Sequence, residues 1–198
     1  MTSQATKIPQ CKVRILVDAD IEACEEIYRL NEPTHFPSGY FPKFSEWLRN
    51  RRSLVLVVEQ DGAIRAFGGI NAQDQNGYFF SALSFGMVHP EFHRTGFGTV
   101  LLLARLSLLK TGRPVSLVTL TTTGGSDTFY GRFGFKFVRA VQATPEYLEQ
   151  HYVVSVSTQD TALCLNALKA VWTLPDPDDI EMPDFASLFA QTAVATTP

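Results

Sequence analysis

Apolar positions in this chain fall into short strand-like runs and one long helical run, parted by polar, glycine- and proline-bearing stretches. Residues 11–16 read as a short first strand, and Asp18 or Asp20 stands where it would cap a helix over residues 21–30. Two apolar runs, 53–59 and 64–71, flank Asp61-Gly62, which predicts a β-hairpin. A second turn at Asn76-Gly77 leads into an apolar strand over residues 78–88. Residues 97–110 carry leucine on nearly every face and are closed by Gly112, so the helix they predict is buried on more than one side. Beyond it the pattern predicts a buried strand at 115–121, a short helix at 126–133, and strands at 135–140 and 152–157. Residues 31–42 form a loop with Pro33, Pro37, Gly39 and Pro42, aromatic at Phe36, Tyr40 and Phe41. A short helix bearing Phe44, Trp47 and Leu48 follows. No internal repeat is present. This succession predicts an α/β or α+β fold, a sheet covered by helices on both faces.

After Thr158 the pattern changes, which divides the chain into a domain over residues 1–158 and a C-terminal extension over 159–198. The extension has an amphipathic helix at 162–174 ended by Pro175, then an acidic, solvated stretch with Asp176, Asp178, Asp179, Glu181 and Asp184. The 198 residues suffice for one full core, and an apolar fraction of 45% with 19% charged residues excludes wholesale disorder. A net charge of −3 gives no general attraction to nucleic acid or to an anionic membrane, so any cationic site must be local. Residues 1–10 lack a basic-then-apolar signal pattern, and no apolar run is long enough to span a bilayer. Cys11, Cys24 and Cys164 are odd in number and widely spaced. They fit neither a disulfide framework nor a zinc site, which predicts a cytoplasmic protein without metal.

The most informative stretch is residues 88–98, Val-His-Pro-Glu-Phe-His-Arg-Thr-Gly-Phe-Gly. It leads from the end of a strand through a basic turn with two glycines into the leucine-rich helix. Glycines admit an anion close to the backbone, and the first amides of a helix lack intrahelical partners. Those N–H groups and the positive end of the helix dipole favour a phosphate, and Arg94 adds a permanent charge. By itself such a turn is more often a plain strand-to-helix connection. Leu101 stands where a dinucleotide fingerprint needs its third glycine, and no Gly-Lys pair exists for a P-loop.

These residues, together with Phe129-Tyr130-Gly131-Arg132-Phe133-Gly134-Phe135, resemble the GNAT superfamily of acyl-CoA-dependent N-acetyltransferases. That family shows a strand ending in V-x-P, then Q/R-x-x-G-x-G/A opening a helix, and about thirty residues later F/L-Y-x-x-x-G-F. The resemblance implies a mixed, mostly antiparallel sheet of about six to seven strands, and acetyl-CoA or another acyl-CoA as co-substrate. It implies a pyrophosphate on the amides and side chains of His93, Arg94, Thr95, Gly96, Phe97, Gly98 and Thr99, and a pantetheine arm along Met87 and Val88. Tyr130 takes the place of the family's general acid, although an aromatic there also suits a plain core role. His93 departs from the usual glutamine or arginine. No Asp or Glu lies in residues 78–88 to act as the carboxylate base of some relatives, and Ser126 replaces a common alanine.

The reaction so implied is acetyl transfer to a primary amine by direct attack, and a non-catalytic acyl-CoA-binding sensor is the alternative. Glu32, His35, Phe36 and Tyr40 are the expected acceptor-side residues, although the aromatics also suit covering the core. A water chain ending at Glu32, His35 or His89 is expected to take the proton of the amine. A small-molecule amine is the expected acceptor rather than a protein, with no nucleic acid or membrane partner. The family often forms dimers, which the C-terminal helix suits.

Overall fold

The computed structural model describes residues 8–182 apart from 33, 37–38, 52, 76–77, 110–115, 124–125 and 146, and gives no side chains for 72–79. Seven strands form one sheet: β1 Lys12–Ile15, β2 Leu54–Gln60, β3 Ala63–Gln75, β4 Tyr78–Val88, β5 Ser116–Thr122, β6 Lys136–Thr144 and β7 Tyr147–Val156. Their spatial order is β1-β2-β3-β4-β5-β7-β6. Only β4 and β5 run parallel, and every other neighbouring pair is antiparallel. The helices are α1 Ile21–Asn31, α2 Phe41–Arg49, α3 Phe97–Ser107, α4 Asp127–Gly131 and α5 Thr158–Leu168.

The β2–β3 hairpin turns where Asp61-Gly62 predicts it, with φ of 53° and 73°. Two successive left-handed residues give the turn whose twist matches the flanking strands. Along β2, Val55 and Val57 enter one core with Tyr28, Phe44, Leu48 and Phe67, while Leu56 and Val58 enter a second with Val100, Leu102 and Val118. Strand periodicity of two, with both faces covered, explains why β2 reads as an unbroken apolar run. α1 and α2 cover one face, and α3 covers the other. All of α3 except Gly98 and Leu103 is buried, because α5 packs on its outer side.

Two features of β4 create the site. Its pairing with β5 stops at Leu83↔Leu120, so the rest of β4 has a free edge there. Its pairing with β3 jumps from Gly69↔Ser84 to Phe67↔Met87, a bulge at which Phe85 takes φ 44°. Such an extra residue bends the strand and turns its backbone groups out of the ladder.

Several boundaries differ from expectation. β7 begins at Tyr147, five residues before the predicted start, because pairing with β5 and β6 holds a partly polar segment extended. Neither aspartate caps α1 through its side chain. The Asp20 carboxylate instead accepts the Val17 N–H at 2.8 Å and two hydrogen bonds from Arg14 at 2.6 and 2.9 Å. The C-terminal helix starts four residues and ends six residues earlier than predicted, and Ser157 and Asp160 at its start cap each other's backbone N–H groups. Beyond it the Val13 N–H bonds Val171 O at 3.0 Å, and Leu168, Val171 and Ile180 join the core under α3. No described helix is long and apolar enough to cross a membrane. The turn at Asn76-Gly77, Pro33, Pro37, Gly112 and Asp184 lie outside the described residues.

Candidate active site

Where β4 and β5 part, a cavity of about 760 Å³ opens, lined by β4 from Leu83 to Val88, the start of α3, the end of β5 and α4. Its mouth is the turn from β4 to α3. Gly96 stands before the helix at φ 103°, and Arg94 is left-handed at φ 62°. The first helical hydrogen bond runs from Val100 N–H to Gly96 O at 3.0 Å, so the amides of Phe97, Gly98 and Thr99 precede the helical ladder and point out of its N-terminus. A Cβ on Gly98 would stand 3.4 Å from Val88 Cγ2 and 3.7 Å from Phe129, against both walls. A helix N-terminus with an exposed arginine and no side chain at Gly98 suits a pyrophosphate.

The remaining residues of the turn play unequal parts. His93 turns its ring back, with Nε2 3.0 Å from Val88 O, and the Asn31 amide donates to the same carbonyl at 3.1 Å. Thr95 Oγ1 donates to Phe92 O at 2.5 Å, which braces the turn. Phe97 is buried, its ring 5.7 Å from that of Phe92, so only its backbone can meet a ligand. Met87 and Val88 border the cavity beside the unpaired edge of β4, where an extended amide chain can add as a strand does.

Tyr130 of α4 lines this cavity, its ring edge-on to Phe129 at 5.0 Å and to Phe135 at 5.6 Å. The helix is tied to β7 by Tyr152, whose hydroxyl donates to Asp127 Oδ1 at 2.5 Å. Burial, with Asp127 adding, pushes Tyr152 up to about 12, so it stays a donor. Arg105, from α3, lines the same cavity as Tyr130, and Tyr130 raises the guanidinium pKa against the lowering by burial.

A second groove, about 560 Å³, lies beside the first and shares Phe36, Leu83, Phe85, Leu120, Thr121 and Tyr147 with it. Tyr40, Tyr147, Glu149 and His151 line it. Burial raises Tyr147 to about 12 with Glu149 and Tyr40 adding, and raises Tyr40 with Glu149 adding. His151 Nδ1 is 3.5 Å from Thr121 Oγ1. Its Nε2 is buried without a hydrogen bond among the described residues, 3.9 Å from Glu149 Oε2.

Of the residues expected on the acceptor side, His35 and Phe36 line the first cavity, and Phe36 and Tyr40 the second. Burial lowers the pKa of His35, and His93 lowers it further. Glu32 and His89 line neither cavity; His89 instead accepts the Glu91 N–H at 3.3 Å. Sequence reasoning missed Arg105, Tyr147, Glu149 and His151, since no local motif marks them. No group of His, Cys, Asp or Glu among the described residues could hold a metal.

The family model described as "Acetyltransferase (GNAT) family" matches residues 21–135 of this chain. The fold is similar to that of an N-acetyltransferase from Staphylococcus aureus Mu50, at TM-score 0.56 and 12% identity over 76% of this chain and 99% of that one. It is also similar to the ribosomal-protein-S18-alanine N-acetyltransferase of Escherichia coli, at TM-score 0.54 and 18% identity over 75% and 94%. N-acetylglutamate synthase from Neisseria gonorrhoeae, complexed with coenzyme A and N-acetyl-glutamate, aligns at TM-score 0.58 and 18% identity over 75% of this chain and 36% of that one. No curated sequence matches the chain significantly. The seven-stranded mixed sheet is similar to the folds of these proteins, and the chain belongs to the GNAT acetyltransferase family, the acyl-CoA-dependent N-acetyltransferases.

Proposed function

We propose that the protein transfers the acetyl group of acetyl-CoA to a primary amine of a small molecule by direct attack, with Tyr130 as general acid. The observation that carries this reading is the meeting of two cavities at the parting of β4 and β5, with Tyr130 in one and the Tyr147–Glu149–His151 cluster in the other. Acetyl-CoA supplies the activated thioester. The amides of residues 97–99 and the charge of Arg94 hold its pyrophosphate, and the free edge of β4 takes its pantetheine arm. The bulge at Phe85 and Gly86 interrupts the β3–β4 ladder beside the cavity, and the N–H groups it frees would stabilise the negative charge that develops on the carbonyl oxygen. Tyr130 protonates the departing sulfur, a general-acid step worth typically ~10²–10⁴-fold.

The amine reaches the carbonyl carbon from the second groove, whose size suits a small molecule. An alkylamine of pKa ~10.4 is only about 0.04% neutral at pH 7, a handicap of roughly 4.6 kcal/mol. Glu149 attracts its ammonium group and His151 Nε2 accepts the proton, taking the part expected of a water chain to Glu32, His35 or His89. The test is release of free thiol from acetyl-CoA across a panel of small amines and peptides, with Tyr130→Phe as control. Turnover with a small amine, lowered about a hundredfold or more in Tyr130→Phe at unchanged CoA affinity, is the expected result. Turnover with peptides alone would overturn the substrate assignment, and a fully active Tyr130→Phe enzyme would overturn the acid.

A further inference from the structure

Arg105 is 2% exposed on the sheet-facing side of α3. Its guanidinium lies where two side chains are missing. A Cβ on Gly86 would stand 2.8 Å from Nη2, and one on Gly68 would stand 3.0 Å from Nη1. Both glycines belong to the β3–β4 bulge that bounds the active-site cavity. Protein carbonyls serve the guanidinium poorly: Leu101 O lies 3.4 Å from Nε and Gly69 O lies 3.5 Å from Nη1, beyond the usual range. Among the described residues no carboxylate lies within ion-pair distance of it. Tyr130 lines the same cavity wall as Arg105, and burial depresses the guanidinium pKa while Tyr130 raises it.

A buried cation without a counter-ion destabilises a fold, and arginine does not relieve the cost by losing its proton. Leucine or methionine would fill this helix position without that cost. A group retained against stability in a cavity wall points to use in the reaction. The reading of Tyr130 above has negative charge form at one place within its reach, the sulfur that leaves.

We propose that Arg105 is a positioning residue for acyl transfer, fixing the Tyr130 hydroxyl and holding positive charge beside the sulfur as the thioester breaks. The inference rests on the role proposed for Tyr130. The amine nitrogen bonds to the carbonyl carbon, the C–S bond breaks, and sulfur keeps the electron pair. Sulfur then takes the hydroxyl proton of Tyr130, and the surplus proton of the amine leaves through His151 to water, from which Tyr130 is reprotonated. A neutral amine and the thioester thus become amide and thiol with no net proton change, and an amine that arrives as ammonium releases one further proton to water. Negative charge passes from sulfur to the phenol oxygen, in the cavity that Arg105 lines.

The test compares Arg105→Met, Arg105→Lys, Tyr130→Phe and the double variant Arg105→Met/Tyr130→Phe, using acetyl-CoA and an accepted amine. Arg105→Met should lower kcat on the order of tenfold to a hundredfold with KM for acetyl-CoA little changed. Its melting temperature should hold or rise, because an unpaired buried charge is gone. Arg105→Lys should recover part of the loss. In the Tyr130→Phe background Arg105→Met should cost little more, since both act on one event. Full turnover in Arg105→Met overturns the proposal, as does a loss that multiplies with Tyr130→Phe and tracks a fallen melting temperature. Wild-type preference for succinyl-CoA over acetyl-CoA, reversed in Arg105→Met, would also overturn it by showing a site for an acyl carboxylate. If Tyr130→Phe alone is fully active, the general-acid reading fails, a result distinct from failure of Arg105. Should Arg105→Met not fold, Arg105→Gln keeps a polar end without the charge and should lower kcat in the same way; unchanged kcat there overturns the proposal.

Discussion

Arg94 offers a test in which stability and binding move in opposite directions. Its φ of 62° lies in the left-handed region, its side chain is exposed, and no ion pair holds it among the described residues. That conformation costs an L-residue about 1–2 kcal/mol. Glycine escapes the penalty but adds about 0.5–1 kcal/mol of chain entropy to be lost on folding. Arg94→Gly should therefore be neutral to about 1 kcal/mol more stable, raising the melting temperature by up to about 2–4 °C. Arg94→Ala keeps the strain and should melt lower than Arg94→Gly. Binding should weaken in both. A hydrogen bond to a charged group contributes about 1.5–3 kcal/mol, and a loss of about 2 kcal/mol is a roughly thirtyfold rise in the Kd for CoA. Because the arginine is exposed, the deficit should shrink with added salt, as the Debye length falls from ~10 Å at 0.1 M to ~3 Å at 1 M. Calorimetric titration with CoA at low and high salt, beside thermal melts of the three proteins, measures each quantity. Wild-type affinity in both variants would refute the phosphate contact, and an Arg94→Gly protein less stable than Arg94→Ala would refute the backbone argument.

His151→Ala should lower kcat about a hundredfold while leaving CoA affinity intact, and Glu149→Gln should raise KM for a cationic amine; steady-state kinetics with an accepted amine decides both. Arg14 holds the Asp20 carboxyl below its usual range against opposing burial, with the Val17 N–H adding. A depressed acid contributes stability that is full above its unfolded pKa of ~3.9 and is lost as pH falls through the folded value. The stability gap between wild type and Arg14→Met, followed by denaturant unfolding from pH 7 downwards, should narrow below about pH 4. A gap independent of pH would show that Asp20 is not what Arg14 stabilises.

The glycine turn into α3 and the tyrosine motif of α4 are legible in the sequence because each is built from consecutive residues. The former needs a strand end, two glycines and the first turn of a helix, all within residues 88–98. The hairpin at Asp61-Gly62 is legible for the same reason, since a two-residue turn specifies its own dihedral angles. The leucine run of α3 likewise announces burial on several sides, which α5 and the sheet supply. His151 and Glu149 carry no such mark. They lie on a half-exposed strand of mixed polarity, and they reach the second groove only because β7 pairs with β5, setting His151 opposite Thr121. Arg105 is hidden more deeply still. In the sequence it is one charge in an apolar helix, and only the β3–β4 bulge brings Gly68 and Gly86 together to form its pocket. Local backbone chemistry determined where the strand turns through glycine into the N-terminus of α3, and long-range strand pairing decided which side chains line the two cavities.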